Sequence, residues 1–256
     1  MSATATFRIW RGNAETGGFQ EYTTPVSEGM VVLDAVHQIQ AAQANDLAVR
    51  WNCKAGKCGS CSAEVNGMPK LMCMTRLSEL PLEKPVAIEP LRAFPVVKDL
   101  VTDVSWNYAV KRRIKPFKPR PPDAPDGTWR MAQADVDRVM EFRKCIECFL
   151  CQDVCHVLRD HHKHAEFIGP RFLTYVAALE MHPLDVEDRT DDLRRLDGIG
   201  FCNITKCCTR VCPESINITD NAIIPLKERV ADRAYDPLRA LAGWLAGKVI
   251  TRGGEK

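Results

Sequence analysis

Hydrophobic residues recur with two different periods along the chain, and the change falls near its middle. Thr6-Phe7-Arg8-Ile9-Trp10-Arg11 alternates apolar and polar residues, the pattern of a half-buried strand. Residues 18–26 predict a second strand. Val31, Val32, Ala35, Val36 and Ile39 recur at helical spacing, so 30–43 is predicted as an amphipathic helix. Asn66-Gly67 between the apolar flanks of 64–71 predicts a hairpin. Pro85-Val86-Ala87-Ile88 predicts a late strand, and Val96, Val97, Leu100, Val101 and Val104 predict a closing helix. The first 110 residues thus predict a small mixed α+β domain. Beyond it the period is helical: over 131–143, over 170–181 (Phe172, Leu173, Val176, Leu179) and over 216–234 (Ile218, Ala222, Ile223, Leu226, Val230).

At roughly 150 residues per domain, the 256-residue chain is expected to hold one or two domains. Its apolar and charged fractions are those of an ordinary globular protein, so disorder is excluded as a general reading. No stretch approaches the ~20 apolar residues of a membrane-spanning helix. The formal charge of +2 argues against broad nucleic-acid binding. That charge is uneven. Residues 111–130 carry seven Lys and Arg against two Asp and Glu, together with Pro116, Pro119, Pro121, Pro122 and Pro125. Prolines remove backbone donors and favour extended neighbours, so 115–127 is predicted as a stiff, exposed connector. Its basic charge either solvates the connector or meets anionic lipid or an acidic partner. The chain divides accordingly into 1–110, a connector over 111–130, a helical domain over 131–240 and a tail over 241–256. Within the tail, Leu241-Ala242-Gly243-Trp244-Leu245 is a short apolar segment suited to a membrane, a partner or ordinary packing.

The 12 cysteines change the picture. Residues 1–6 carry no apolar signal core and no Arg-rich transit pattern, so the thiols are expected to stay reduced. Many reduced cysteines point to metal. Cys53-x4-Cys58-x2-Cys61, with Cys73 beyond, has the spacing of plant-type ferredoxins. A short loop can wrap a two-iron cluster with three thiolates. Gly56 and Gly59 let that loop fold tightly and aim N–H groups at the sulfurs. Zinc pairs have C-x2-4-C spacing twice with a longer gap, a poorer fit.

In the helical half, Cys145-x2-Cys148-x2-Cys151-x3-Cys155 has the bacterial ferredoxin spacing, in which the fourth cysteine serves the other cluster of a two-cluster protein. Cys145, Cys148 and Cys151 then hold one cubane, completed by Cys212. Cys155 joins Cys202 and Cys208 at a second. A fourth ligand there is expected near Thr205, and threonine binds iron poorly, so this site favours [3Fe–4S]. Cys207 is left over, either as a buried thiol or as an iron ligand in place of, or beside, Cys208.

A two-iron domain, a connector and a helical two-cluster domain resemble the iron–sulfur subunit of succinate dehydrogenase and fumarate reductase, most of all its actinobacterial branch. The resemblance spans residues 6 to about 235. It rests on Arg50-Trp51-Asn52-Cys53-Lys54-Ala55-Gly56-Lys57-Cys58-Gly59-Ser60-Cys61, on Cys145-Ile146-Glu147-Cys148 and on Cys202 to Cys212-Pro213. It implies an α+β architecture: an N-terminal β-grasp, plant-type [2Fe–2S] ferredoxin domain and a C-terminal α-helical ferredoxin domain. It also implies a flavoprotein partner with covalent FAD, and a membrane-anchor subunit, often with haem. Electrons would pass from succinate to a quinone, of the menaquinone type, at the cytoplasmic face of a bacterial membrane. The opposite direction, quinol to fumarate, uses the same wire.

The sequence departs from ubiquinone-type members beside the last cluster. They have Pro directly after the Cys155 position and tryptophans four and five residues after it, where this chain has His156, Arg159 and Asp160. They have His after the Cys202 position, where this chain has Asn203. The quinone-site candidates are therefore His156, Arg159, Asp160, Asn203 and Thr205, with Arg159 as donor and Asp160 or a histidine as proton source. His156, His161, His162 and His164 form a cluster that is a proton path, a metal or haem ligand set, or a solvated or packed surface. No G-x-G-x-x-G fingerprint is present, so no dicarboxylate chemistry is expected of the chain alone. The competing readings are a free-standing ferredoxin-like carrier and a zinc-stabilised scaffold.

Overall fold

The computed structural model describes residues 3–237 and 241. The N-terminal half is a five-stranded sheet in the order β2-β1-β5-β3-β4. Strands β1 (Ala3–Gly12) and β2 (Gly17–Val26) form an antiparallel hairpin, and helix α1 (Val32–Ala42) returns across the sheet. The Asn66-Gly67 turn joins β3 (Ser62–Val65) to β4 (Met68–Leu71), and β5 (Val86–Glu89) lies parallel to β1 and antiparallel to β3. The apolar positions of β1 explain the packing: Ala5, Phe7 and Ile9 are buried, as are Val32, Leu33, Ala35, Val36 and Ile39 of α1. The Asp34 carboxylate accepts the Val31 N–H at 3.1 Å and so caps the start of that helix.

The closing helix expected over 96–104 is a short hairpin instead, β6 (Val96–Lys98) and β7 (Val101–Thr102), and α2 (Ser105–Arg113) begins only after it. Asp99 is the cause. It sits in the turn at φ +49°, 2% exposed, accepting the N–H groups of Gly12 and Ala48 at 2.9 and 2.8 Å. Arg11 lies 3.1 Å from the same carboxylate. A buried acid answered by two backbone donors and a guanidinium outweighs the helical spacing of valines that favour strands anyway.

Helix α2 runs across position 110, at which the sequence reading ends the first domain. The proline-rich stretch after it is largely exposed but pinned. Arg189, 1% exposed, donates to the carbonyls of Lys115 and Pro116 at 2.9 and 2.7 Å and pairs with Asp185. The second half is helical: α3 (Gln133–Met140), α4 (Leu150–Asp153), α5 (His156–Arg159), α6 (Gly169–Glu180), α7 (Thr190–Arg195), α8 (Cys207–Arg210) and α9 (Ile224–Tyr235). A π-helical turn, Ile218–Ile223, leads into α9. At the centre, α6 buries Phe172, Leu173, Val176 and Ala177. Among the described residues no helix is long and apolar enough to cross a membrane. Of the apolar tail segment, only Leu241 lies within the described residues.

The two halves meet through buried polar groups. Asp153 on α4 accepts the Ala93 N–H at 2.9 Å. The Arg159 guanidinium reaches Glu64 on β3 at 3.0 Å, with Arg92 3.3 Å away. Glu64 and Asp153 are both fully buried, and burial pushes both carboxyls up; the charge of Asp153 raises Glu64 further, while the hydrogen bond from Glu64 partly offsets the rise at Asp153. A carboxyl raised on folding keeps its proton in the folded chain where the unfolded chain has released it. Stability therefore falls as pH climbs from the ordinary carboxylate range. The Glu64→Gln variant is expected to flatten this fall between about pH 5 and pH 8, by on the order of 1–2 kcal/mol in denaturant titrations. An unchanged slope would show that Glu64 ionises normally.

Candidate iron–sulfur centres

Three groups of thiols form, and each draws on separate elements. At the first, Cys53 and Cys58 lie in the loop before β3, Cys61 at its end and Cys73 just after β4. Cys61 and Cys73 are buried and hydrogen-bond to each other; Cys58 is near enough to act on Cys61. The Cys53 sulfur accepts N–H groups from Ala55 and Lys57 at 3.4 and 3.3 Å, and Cys58 accepts that of Cys53 at 3.5 Å. Gly56 makes this possible at φ +66°, where an added Cβ would fall 2.9 Å from Met74. The expected N–H donors are thus the residues flanking the glycine. Burial raises the Cys58 thiol, but hydrogen bonds from Cys53 and from the Ser60 backbone and hydroxyl outweigh it and hold the thiol below its ordinary value.

At the second, Cys145, Cys148, Cys151 and Cys212 line one cavity with an empty volume of about 380 Å³. Burial, then repulsion from Cys145 and Cys212, pushes Cys148 up to about 12, and burial and the neighbouring thiols push Cys151 well up too. Glu147 and Phe149 flank Cys148 at φ +55° and +61°, conformations that cost energy in residues with a Cβ. Salt bridges from Arg171 and Lys111 hold Glu147, and Phe149 packs edge-on to Phe94 and Tyr108. The Cys148 segment is therefore fixed on both sides. No spacing in the sequence signals these roles of Glu147, Arg171 and Lys111.

At the third, Cys155, Cys202, Cys207 and Cys208 line a cavity of about 320 Å³ with His156, Asn203 and Thr205. Burial pushes Cys155 up to about 11, and Cys207 and Cys202 add to it. Cys207 stands 3.2 Å from the Thr205 hydroxyl, and Cys208 3.5 Å from that of Thr219. Cys151 and Cys155 lie on either side of the end of α4 and line different cavities. Of the quinone-site candidates, His156, Asn203 and Thr205 share this cavity. Arg159 is turned to Glu64, and Asp160 is exposed. His164 donates its Nε2–H to the Ala93 carbonyl at 2.8 Å and packs on Trp106, while His161 and His162 are exposed, so the four histidines do not form one group.

The donor chemistry suits clusters. In a cubane each iron takes one thiolate, in a two-iron cluster two; a single zinc ion needs three or four at one point. At the second and third groups four thiols line one cavity each.

A family model described as a 2Fe-2S iron–sulfur cluster binding domain matches residues 6–108, and one described as a 4Fe-4S dicluster domain matches 141–216. The chain is 34% identical over 203 residues to the fumarate reductase iron–sulfur subunit of Mycobacterium tuberculosis, covering 78% of this chain and 81% of that protein. It is 27% identical to the succinate dehydrogenase iron–sulfur subunit of Bacillus subtilis, over 78% and 81% of the two. Against three archaeal relatives at 29% identity it spans less than half of the longer protein. Among solved structures it matches a chain of the Mycobacterium smegmatis Sdh1 complex in the apo form, with a TM-score of 0.89 and 59% identity, over 93% of this chain and all of that one.

Thiols raised by burial are protonated near neutrality, so each iron–thiolate bond displaces a proton, and assembly weakens as pH falls. Iron and labile sulfide retained after desalting at graded pH are expected to drop on the acid side. Retention independent of pH would contradict this.

Proposed function

The chain belongs to the iron–sulfur subunits of succinate dehydrogenase and fumarate reductase, the electron-transfer part of an oxidoreductase, and on that premise we propose that it carries electrons from a flavoprotein holding FAD to a membrane quinone of the menaquinone type. Cys53, Cys58, Cys61 and Cys73 hold [2Fe–2S]; Cys145, Cys148, Cys151 and Cys212 hold [4Fe–4S]; Cys155, Cys202 and Cys208 hold [3Fe–4S]. When bound, these clusters supply one-electron chemistry in a fixed order. The observation that carries this reading is the orientation of Cys151 and Cys155. Four residues apart, they face two different thiol groups, so one short segment ties two centres together.

The chain's own residues then have separate tasks. Trp51 and Met74, 47% and 56% exposed beside the first thiol loop, offer an apolar surface for the flavoprotein. Phe201 and Ile204, 45% and 39% exposed beside Cys202, offer one for a membrane-anchor subunit. His156, Asn203 and Thr205 supply hydrogen bonds to a quinone beside the third centre. Arg159, engaged with buried Glu64, holds the domains together, and exposed Asp160 and His161 lie on the route for protons from water. The complex sits on the cytoplasmic face of the membrane with this subunit peripheral to it.

Purification from native membranes tests the assembly. Co-migration with a flavoprotein and a membrane subunit, and succinate-dependent reduction of a quinone analogue, are expected. A fully loaded chain isolated alone would establish the free carrier, and fumarate reduction without succinate oxidation would reverse the direction. The Cys73→Ala variant is expected to lose the [2Fe–2S] EPR signal and keep the other two; loss of all three from a folded chain would contradict the division at the connector. The Thr205→Cys variant is expected to convert the third centre to [4Fe–4S], abolishing the oxidised three-iron signal, whose persistence would place Thr205 elsewhere.

A further inference from the structure

The first two centres meet at one backbone contact. Gly59 lies between Cys58 and Cys61 at φ +69°. A Cβ placed on it would fall 2.6 Å from Cα, 2.8 Å from Cβ and 3.0 Å from N of Cys148, distances no side chain tolerates. The loop that wraps the first centre thus lies directly on the backbone of a ligand of the second. Ser62, next to Cys61, spans the same junction. Its hydroxyl has the Gly59 carbonyl at 2.8 Å and the Cys148 carbonyl at 2.9 Å, and its single proton serves either. Cys148 is held rigid there by the anchored Glu147 and Phe149.

We infer that Gly59 and Ser62 form the electron bridge between the first and second centres, with Cys148 as the point of entry. The inference rests on the cluster assignment proposed above. Tunnelling falls exponentially with distance and less steeply along bonds and hydrogen bonds than across gaps. A bare glycine backbone in van der Waals contact, reinforced by one hydroxyl, is the shortest connection a polypeptide can offer. The step moves one electron from the centre held by Cys53, Cys58, Cys61 and Cys73 to that held by Cys145, Cys148, Cys151 and Cys212. No bond is made or broken and no proton is transferred. Gly59 and Ser62 are positioning residues: they touch the ligands, and their effect is on a rate.

The test uses the complete complex. Flash photoreduction followed by time-resolved absorption reads transfer between the two centres, and EPR titration reads the presence and potential of each. Ser62→Ala is expected to slow transfer several-fold with both EPR signals and potentials retained, and Ser62→Thr, which keeps the hydroxyl, to restore it; Gly59→Ala, whose Cβ must push the Cys148 backbone away, is expected to slow transfer further wherever both centres still assemble. If Gly59→Ala does not assemble, Ser62→Ala decides. Parental rates in Ser62→Ala with both signals intact overturn the bridge alone. Absence of the two signals from the parent complex overturns the cluster assignment and the bridge with it.

Discussion

Thiolates cannot be gathered and buried without a counter-charge, and this constraint governs the molecule. Burial and mutual repulsion raise Cys148, Cys151 and Cys155. Iron reverses the balance by holding the sulfurs deprotonated. The surrounding chain is arranged to meet that cost in advance. Backbone N–H groups point at Cys53, Cys58 and Cys212, and residues at positive φ bend the loops around them.

The second constraint is that the centres must keep fixed separations while belonging to two differently built domains. The interface is built of charged groups, with Glu64, Asp153 and Arg171 buried and Arg92 and Lys111 reaching in from the surface. Glu64, Asp153, Arg159 and Arg92 form one set, and Glu147, Lys111 and Arg171 another, close to the Cys148 backbone. Such groups are poor sources of stability but demand one geometry, since each misplacement strands a charge. Arg189 does the same for the connector, fastening a basic, proline-rich stretch to the helical domain through its carbonyls.

The sequence made some of this legible and hid the rest, for physical reasons. The strands, α1, the Asn66-Gly67 hairpin and α6 follow from local periodicity and turn chemistry, which leave a clear mark on residue order. The cysteine groups follow from spacing, because each loop must wrap a body of fixed size. The 96–104 segment was misread as a helix because Asp99 acts through Gly12 and Ala48, more than fifty residues away in sequence. Glu64, Ser62 and Glu147 gave no signal for the same reason: their partners are distant in the chain. Arg159 stands out as a quinone donor by its place after Cys155, but its side chain is engaged by Glu64.

What emerges is a chain whose chemistry is carriage rather than conversion. Its central claim is that three distinct clusters sit in those groups. Quantitative iron and acid-labile sulfide analysis of the isolated complex, paired with EPR in the oxidised and reduced states, tests it most directly. The account expects nine irons and ten sulfides per chain, a three-iron signal on oxidation and two further signals on reduction. Zinc in place of iron, or iron sufficient for only one or two clusters in a fully folded complex, would contradict it.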